Sequence, residues 1–295
     1  MNTQHLQFMM EIERTRSISQ AAENLYTSQP NLSRILHDVE QSLGFTVFER
    51  TSRGVRPTDR GVQYLQHVKN ILRETEAIES LGKNHLSEER FSICIPRSAQ
   101  MLEITADYLS SAPSGTPLNA TVRECHPRQA FKLLSDGDAD LAVIRFRAEY
   151  RSYFEEQAQE RSMELCILRR FKYQLLMPKS HPLMEKQSIV RADLSGYPEI
   201  VHGDAFRPKG TQEESTLRQI YTVDRQAQIT MLRRIPGAYM WIEPAQQEEL
   251  DRWNLALRHC GDNPTTYYDA LVFESKRGLN GLERDFLQLV TKKKA

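Results

Sequence analysis

Ser17-Ile18-Ser19-Gln20-Ala21-Ala22-Glu23-Asn24-Leu25-Tyr26-Thr27-Ser28-Gln29-Pro30-Asn31-Leu32-Ser33-Arg34-Ile35 is the stretch on which the reading of this chain turns. A helix starts with a cap at Ser17 or Ser19, and Ser17, with Gln20 three residues on, fits a capping box. Ala21, Ala22 and Leu25 then make a small apolar face that lets a neighbouring helix approach closely. The break at Tyr26-Thr27 is short, as a helix-turn-helix requires. Ser28 is an N-cap for the next helix, and Pro30 falls in its first turn, where a missing N–H costs little. Leu32, Ile35, Leu36, Val39 and Leu43 recur at spacings of three and four, which makes a buried stripe. Gln29, Asn31, Ser33, Arg34 and His37 are left facing away from the core. Such side chains hydrogen-bond to base edges and phosphates, and a helix N-terminus attracts phosphate. The competing reading is a three-helix interaction domain whose polar face is merely solvated.

Upstream, Leu6, Phe8, Met9, Met10 and Ile12 give an amphipathic first helix that ends near Arg14-Thr15-Arg16. Downstream, Gly44 is a C-cap, and Thr46–Arg50 can pair with Val55-Arg56 through a turn at Ser52-Arg53-Gly54. Arg50, Arg53 and Arg56 concentrate positive charge on this hairpin, a wing suited to the phosphate backbone or the minor groove. The runs Ser17 to Leu25 and Thr27 to Ile35 resemble the signature of LysR-type transcriptional regulators. So do Leu43-Gly44-Phe45-Thr46-Val47-Phe48-Glu49-Arg50, the run Arg53-Gly54-Val55-Arg56-Pro57-Thr58, and Gly61. The resemblance implies that Gln29, Pro30, Asn31, Ser33 and Arg34, headed by Ser28, lie at the major groove, and that Arg53 serves the wing beside Arg50 and Arg56. It implies a sequence-specific DNA-binding regulator controlled by a small-molecule effector. Its partners would be a double-stranded operator, the effector and further copies of itself, with RNA polymerase as another.

Residues 59–86 read as one polar helix with an apolar stripe. Thr58 and Asp59 place a cap and an anion at its positive end. Tyr64, Leu65, Val68, Ile71, Leu72, Thr75 and Ile78 recur at spacings near 3.5, and a stripe of this kind needs a partner. One candidate partner is the chain's own C-terminal domain. The resemblance instead favours dimerisation through Leu65, Val68, Ile71, Leu72 and Ile78. A homodimer so built would set two recognition helices on an inverted repeat, and relatives of this type are usually tetramers. Asn84 to Arg90 breaks the pattern and is the expected hinge.

From Phe91 onward strands and helices alternate. Phe91–Pro96, Leu118–Val122 and Leu141–Ile144 read as strands, with helices from Ser98 and over Pro127–Ser135 between them. This order argues for a parallel sheet covered on both faces, with ligands at the carboxyl ends of its strands. Tyr173–Pro178, Tyr197–Val201, Tyr239–Ile242 and Tyr267–Phe273 continue as strands, and Gly281–Val290 is the last helix. Asp136–Ile144, His181-Pro182-Leu183 and Leu194–Ile200 are similar to the LysR effector domain. That fold resembles periplasmic binding proteins, with two α/β subdomains around a cleft. The implied division is 91–165 with 267–295 for the first subdomain and 166–266 for the second. The fold class is therefore an N-terminal all-α winged helix-turn-helix with a long linker helix, followed by a C-terminal α/β effector domain. Arg233-Arg234-Ile235-Pro236-Gly237 departs from the glycine-rich run usual there, so ligand contacts from that segment are not carried over.

Strand ends bring Arg97 and Ser98, His126, Arg145 and His202 toward the expected cleft. Ser98 and His126 fall where relatives commonly contact effectors. Two arginines and a helix N-terminus suit a carboxylate or another anion. The alternative is that Arg97 and Arg145 pair with Asp or Glu across the cleft. Cys125 beside His126 invites a metal or redox reading, but no HxxH or CxxC spacing supports a metal, and buried structural thiols are the commoner case. No phosphate-binding glycine loop and no G-x-S-x-G elbow is present, so the chain is not read as an enzyme, and no cofactor is expected. Lys plus Arg and Asp plus Glu number 39 each, which argues against a histone-like protein that coats nucleic acid. No apolar run long enough for a bilayer and no basic-then-apolar leader is seen, so a cytoplasmic location without a membrane partner is expected. The four cysteines are expected to be free thiols.

Overall fold

The computed structural model describes residues 2–52, 54–81, 89–111, 117–202, 218–245, 247–275 and 279–292. The chain divides mainly at Arg90 into two compact units. The expected hinge at Asn84–Arg90 lies largely outside the described residues.

The first unit opens with α1 (Thr3–Thr15), α2 (Ile18–Asn24) and α3 (Gln29–Leu43), each started by a side-chain cap. Asn2, Ser17 and Ser28 accept the N–H groups of His5, Gln20 and Asn31. Gly44 ends α3 in the left-handed region at φ 72°. Met9, Ile12, Ala21, Ala22, Leu32, Val39 and Val47 pack as one buried core beneath the three helices. The wing is the antiparallel pair β1 (Phe48–Thr51) and β2 (Gly54–Pro57). It is tied down at three points. Glu40 of α3 accepts the N–H groups of Val47 and Phe48 on one carboxylate oxygen, at 2.7 and 3.1 Å. Val55 donates to the carbonyl of Arg16. Thr58 donates to the carbonyl of Thr46 and accepts the N–H of Gly61. A Cβ on Gly54 would sit 2.5 Å from the Arg16 carbonyl oxygen, and one on Gly61 would sit 2.0 Å from that of Val47. Both glycines are therefore required by close backbone approach.

Next, α4 runs from Asp59 to Leu81. Its apolar stripe divides, which corrects the expectation of a single dimer seam. Tyr64, Leu65 and Val68 are buried in the first unit's own core, with Leu72 packed against them. Leu65 and Val68 are 1% exposed and have nothing left to offer a second chain. Fully burying such side chains contributes roughly 1.5–3 kcal/mol each, which anchors the start of α4 to the helix-turn-helix. Among the described side chains of the stripe, Ile71 and Ile78, seven residues apart on one face, stay 46% and 67% exposed.

The second unit holds two layered halves. Its first half contains β3 (Glu89–Ile95), α5 (Ala99–Ser110), β4 (Leu118–Glu124), α6 (Pro127–Ser135), β5 (Leu141–Arg147), α7 (Arg151–Glu160) and β6 (Met163–Phe171). The chain then crosses to β7 (Gln174–Pro178), β8 (Glu199–His202), β9 (Gln219–Thr222), α8 (Arg225–Arg234), β10 (Met240–Ile242), α9 (Gln247–Asp251) and β11 (Leu255–Arg258). It returns along β12 (Tyr267–Glu274) and ends in α10 (Gly281–Lys292). The first sheet has the order β4-β3-β5-β12-β6, and the second β10-β7-β11. β3 and β5 are parallel as expected, but β12 is antiparallel to both β5 and β6. Because β6 is hydrogen-bonded into the first sheet through Phe171, the first half extends to Phe171 rather than ending at residue 165. The two crossings are bonded side by side. Lys172 donates to the carbonyl of Asn263, Asn263 donates back to that of Tyr173, and the Tyr173 and Tyr267 rings stack at 4.3 Å.

Candidate nucleic-acid interface and the charged centre of the second unit

On α3 the outward face is polar and lightly tied. Gln29 donates to Ser33, Asn31 donates to the Thr27 hydroxyl at 3.0 Å, and Arg34 donates to the Asn31 side-chain oxygen at 3.2 Å. Ser28, Gln29, Pro30 and Arg34 are exposed, and Asn31 and Ser33 half-buried. Ser33, His37 and Arg50 line a shallow groove of about 200 Å³ between α3 and the wing, floored by Leu36, Phe48 and Val55. α3 and one wing arginine thus share a surface.

The wing's charge is less free than its composition suggests. Arg56 is exposed but faces Glu49 across the hairpin and bonds it at 2.8 Å. Arg53 lies outside the described residues. Arg14 is likewise held by Glu11, at 2.5 Å. Arg16, Arg34 and Arg50 remain as exposed cations without a carboxylate partner among the described residues. Residues 1–58 hold six Arg, no Lys and six Asp plus Glu, so positive potential here depends on which pairs form.

In the second unit the expected cleft residues separate into three situations. Arg97 and His202 come together: the Arg97 guanidinium lies 2.6 Å from both imidazole nitrogens. Nε2 of His202 donates to the carbonyl of Val223 at 2.7 Å, which leaves Nδ1 to accept from Arg97. Ser98 is buried and its hydroxyl caps α5 by accepting the N–H of Met101. His126 is exposed and accepts the N–H of Gln129, heading α6.

Arg145 is a correction. Its guanidinium is spent on two buried carboxylates, a bidentate pair with Asp269 at 2.7 and 2.9 Å and a bond to Glu243 at 2.5 Å. Arg169 grips the same two carboxylates, reaching Asp269 at 2.6 Å and also bonding Glu243 and Gln100. The register explains the first half of this arrangement. Asp269 on β12 stands opposite Arg145 on β5 and Arg169 on β6, one row across three strands. Glu243, just after β10, is the group supplied by the other half of the unit. Phe171 lies under both guanidiniums, 4.8 Å and 4.5 Å from their central carbons. Burial would lower the Arg145 pKa, but Tyr173, Asp269 and Glu243 outweigh it and hold the group charged. Two cations and two anions cancel here, so this centre offers no positive charge to an anion. Arg169, Asp269 and Glu243 were not among the expected site residues.

Cys125 is buried, and its hydrogen bond to the Cys94 thiol, with burial, pushes its pKa up. The same hydrogen bond lowers the Cys94 pKa, so the two buried thiols act as a pair. Burial and Asp262 push Cys260 up to about 12. Among the described residues no group of three His, Cys, Asp or Glu is placed to hold a metal, and no helix is long and apolar enough to cross a membrane.

Comparison with known proteins bears on both units. Residues 3–62 match the model described as bacterial regulatory helix-turn-helix protein, lysR family. The chain is 27% identical over 215 residues to the HTH-type transcriptional regulator CysB of Burkholderia cenocepacia, covering 70% of this chain and 64% of that protein. It is 24% identical over 204 residues to the DNA-binding transcriptional dual regulator OxyR of Escherichia coli, covering 66% and 62%. The alignments thus span less than two thirds of these relatives' lengths. Among solved structures, ArgP of Mycobacterium tuberculosis has a TM-score of 0.70 at 16% identity, covering 99% of this chain and 96% of that one. Full-length LysG of Corynebacterium glutamicum, solved with its effector Arg bound, has a TM-score of 0.68 at 16% identity, covering 100% and 98%. These likenesses show the fold.

Proposed function

We propose that this chain, LysR-type in its helix-turn-helix domain and in its fold, is a sequence-specific DNA-binding regulator of transcription whose C-terminal unit answers to a small molecule. The observation that carries the reading is the outward face of α3. Gln29, Asn31, Ser33 and Arg34 stand on a capped helix beside a wing arginine, on the face turned away from the domain's core. Gln29, Asn31 and Arg34 are side chains that read base edges, and Ser28, Pro30, Arg50, Arg53 and Arg56 flank them toward the backbone. A domain of zero formal charge binds weakly alone, so the functional form is a homodimer, or a homotetramer of two such dimers. Ile71 and Ile78 supply the apolar contact, and two recognition helices then meet an inverted repeat. RNA polymerase is the further partner that a regulator of this kind engages.

The effector side rests on fewer groups than the sequence offered. With Arg145 neutralised, an anionic effector such as a small carboxylate would rely on Arg97, His126, His202 and the N-terminus of α5, with Ser98 holding that helix end.

Selection of duplexes from a random-sequence pool by the full chain tests the DNA reading. An enriched inverted repeat, protected in a footprint, is the expected result; a pool that stays unenriched overturns it. Thermal-shift screening with small carboxylates tests the effector reading, with Arg97→Ala as control. A shift that survives Arg97→Ala, or hits confined to neutral and cationic compounds, removes the anionic class.

A further inference from the structure

Tyr26 is 99% exposed, the most exposed large hydrophobic side chain among the described residues. It sits in the turn between α2 and α3, two residues before the Ser28 cap. Its backbone is in the left-handed region, at φ 52°. The hydrogen bonds around it explain that geometry. Thr27 donates to the carbonyl of Ala22 and Tyr26 to that of Glu23, which closes α2 in a Schellman-type turn. The position after the C-cap in such a turn favours glycine, because a Cβ in the left-handed region is strained. Here an aromatic residue occupies it, and its ring gains no burial in return. Both local choices oppose folding. Strain of this kind collects at ligand contacts, and its presence is a reason to look for one.

What lies next to the ring identifies the ligand. Thr27 accepts from Asn31, and Ser28, Gln29 and Pro30 follow directly, so Tyr26 stands immediately before the N-terminal turn of α3, with its ring in solvent. We infer that Tyr26 is a DNA-backbone contact: its ring lies along the sugar edge of the operator, and its phenol O–H donates to a phosphate oxygen. This rests on the DNA-binding reading above. It adds a further neutral donor beside Gln29, Asn31 and Ser33, which suits a domain without net charge. A neutral contact has a signature that an arginine lacks. It strengthens binding without displacing a counterion, so its loss lowers affinity and leaves the salt dependence unchanged.

The experiment uses the full chain and a duplex enriched by the wild type from a random pool. Affinity is measured against salt for Tyr26→Phe and Tyr26→Gly, with melting temperature followed in parallel. Tyr26→Phe removes one neutral hydrogen bond and is expected to weaken binding about two- to tenfold with an unchanged salt slope. Tyr26→Gly should weaken binding at least as much while leaving the melting temperature equal or higher, since glycine relieves the turn. Affinity equal to wild type in both variants overturns the inference, as does a loss that comes with a shallower salt slope or a lower melting temperature. Failure of the wild type to enrich any duplex is a separate result, and it overturns the DNA-binding reading itself.

Discussion

In the first unit Arg34 and Arg50 reach solvent with no carboxylate partner among the described residues, whereas in the second Arg145 and Arg169 share two buried carboxylates. The same side chain is available in one place and committed in the other. Availability follows from what the neighbouring strands carry. Glu49 across the hairpin occupies Arg56, and Asp269 across the sheet occupies two arginines at once. Position at the end of a strand is therefore a poor guide to an arginine's role. The identity of the residue opposite is a better one.

The largest effect should come from breaking the committed side. Asp269→Asn leaves Glu243 alone between two guanidiniums in a buried setting, and a broken buried pair of this type costs about 3–5 kcal/mol. Both tryptophans, Trp241 and Trp253, lie in the second unit, so urea unfolding followed by their fluorescence reports this loss directly. A change below about 1 kcal/mol, the scale of exposed pairs, would mean that the centre behaves as if solvated.

The α4 stripe carries the same contrast in apolar form. Leu65→Ala should cost the first unit about 2–5 kcal/mol, because it opens a cavity in a closed core. Ile78→Ala, at an exposed site, should change stability by about 0.5 kcal/mol or less. Far-ultraviolet circular dichroism melts separate the two, and sedimentation shows which substitution shifts self-association. If Ile78→Ala melts the unit while Leu65→Ala does not, the division of the stripe is wrong.

These cases also show what the sequence could and could not carry. The helix-turn-helix was readable because its punctuation is local: Ser17, Ser28, Pro30 and Gly44 act within one turn of helix. The periodicity of α4 was readable too, but a spacing near 3.5 cannot say whether the partner is another chain or the preceding domain. The charged centre was hidden because its members lie far apart, at 145, 169, 243 and 269. One signal was present. Asp269 stands inside the apolar run Tyr267–Phe273, and a carboxylate in a buried strand needs a cation opposite it. The split into halves was misplaced at 165 because β6 reads like any strand, and only its pairing with β12 assigns it to the first sheet.

On the available side the expected effects are smaller. Arg34→Ala should weaken binding to a selected duplex by about 1–3 kcal/mol if it reads a base edge, with specificity relaxed at one position. Fluorescence anisotropy at fixed salt measures it, and unchanged affinity removes Arg34 from the interface.

A single buried imidazole gives a further, pH-dependent contrast. His181 accepts the N–H of Leu183 and donates to the carbonyl of Gly237 at 2.9 Å. Burial lowers its pKa, against the opposing effect of the Gly237 carbonyl. The unfolded chain takes up this proton near the ordinary value of about 6.5, and the folded chain only at lower pH. In that window the unfolded state binds more protons, so the stability of the second unit falls as pH drops below about 6.5. His181→Gln should flatten this dependence in urea titrations, and an unaltered pH profile would assign it to other groups.

The smallest effect lies between the two classes, at Arg56. It is exposed like Arg34 but paired like Arg145, and the comparison turns on which property governs it. Glu49→Gln removes the partner's charge and keeps the hairpin's size. The pair is solvent-exposed and worth about 0–1 kcal/mol, so the melting temperature should barely move. Binding to the selected duplex should tighten, because a wing cation is released and a repelling carboxylate is lost. The dependence of log affinity on log salt should steepen by about one if Arg56 then reaches a phosphate. Tighter binding with an unchanged slope would credit only the lost repulsion. Equal binding would show that Arg56 leaves Glu49 for DNA without help, and that exposure rather than pairing decides whether an arginine on this domain is available.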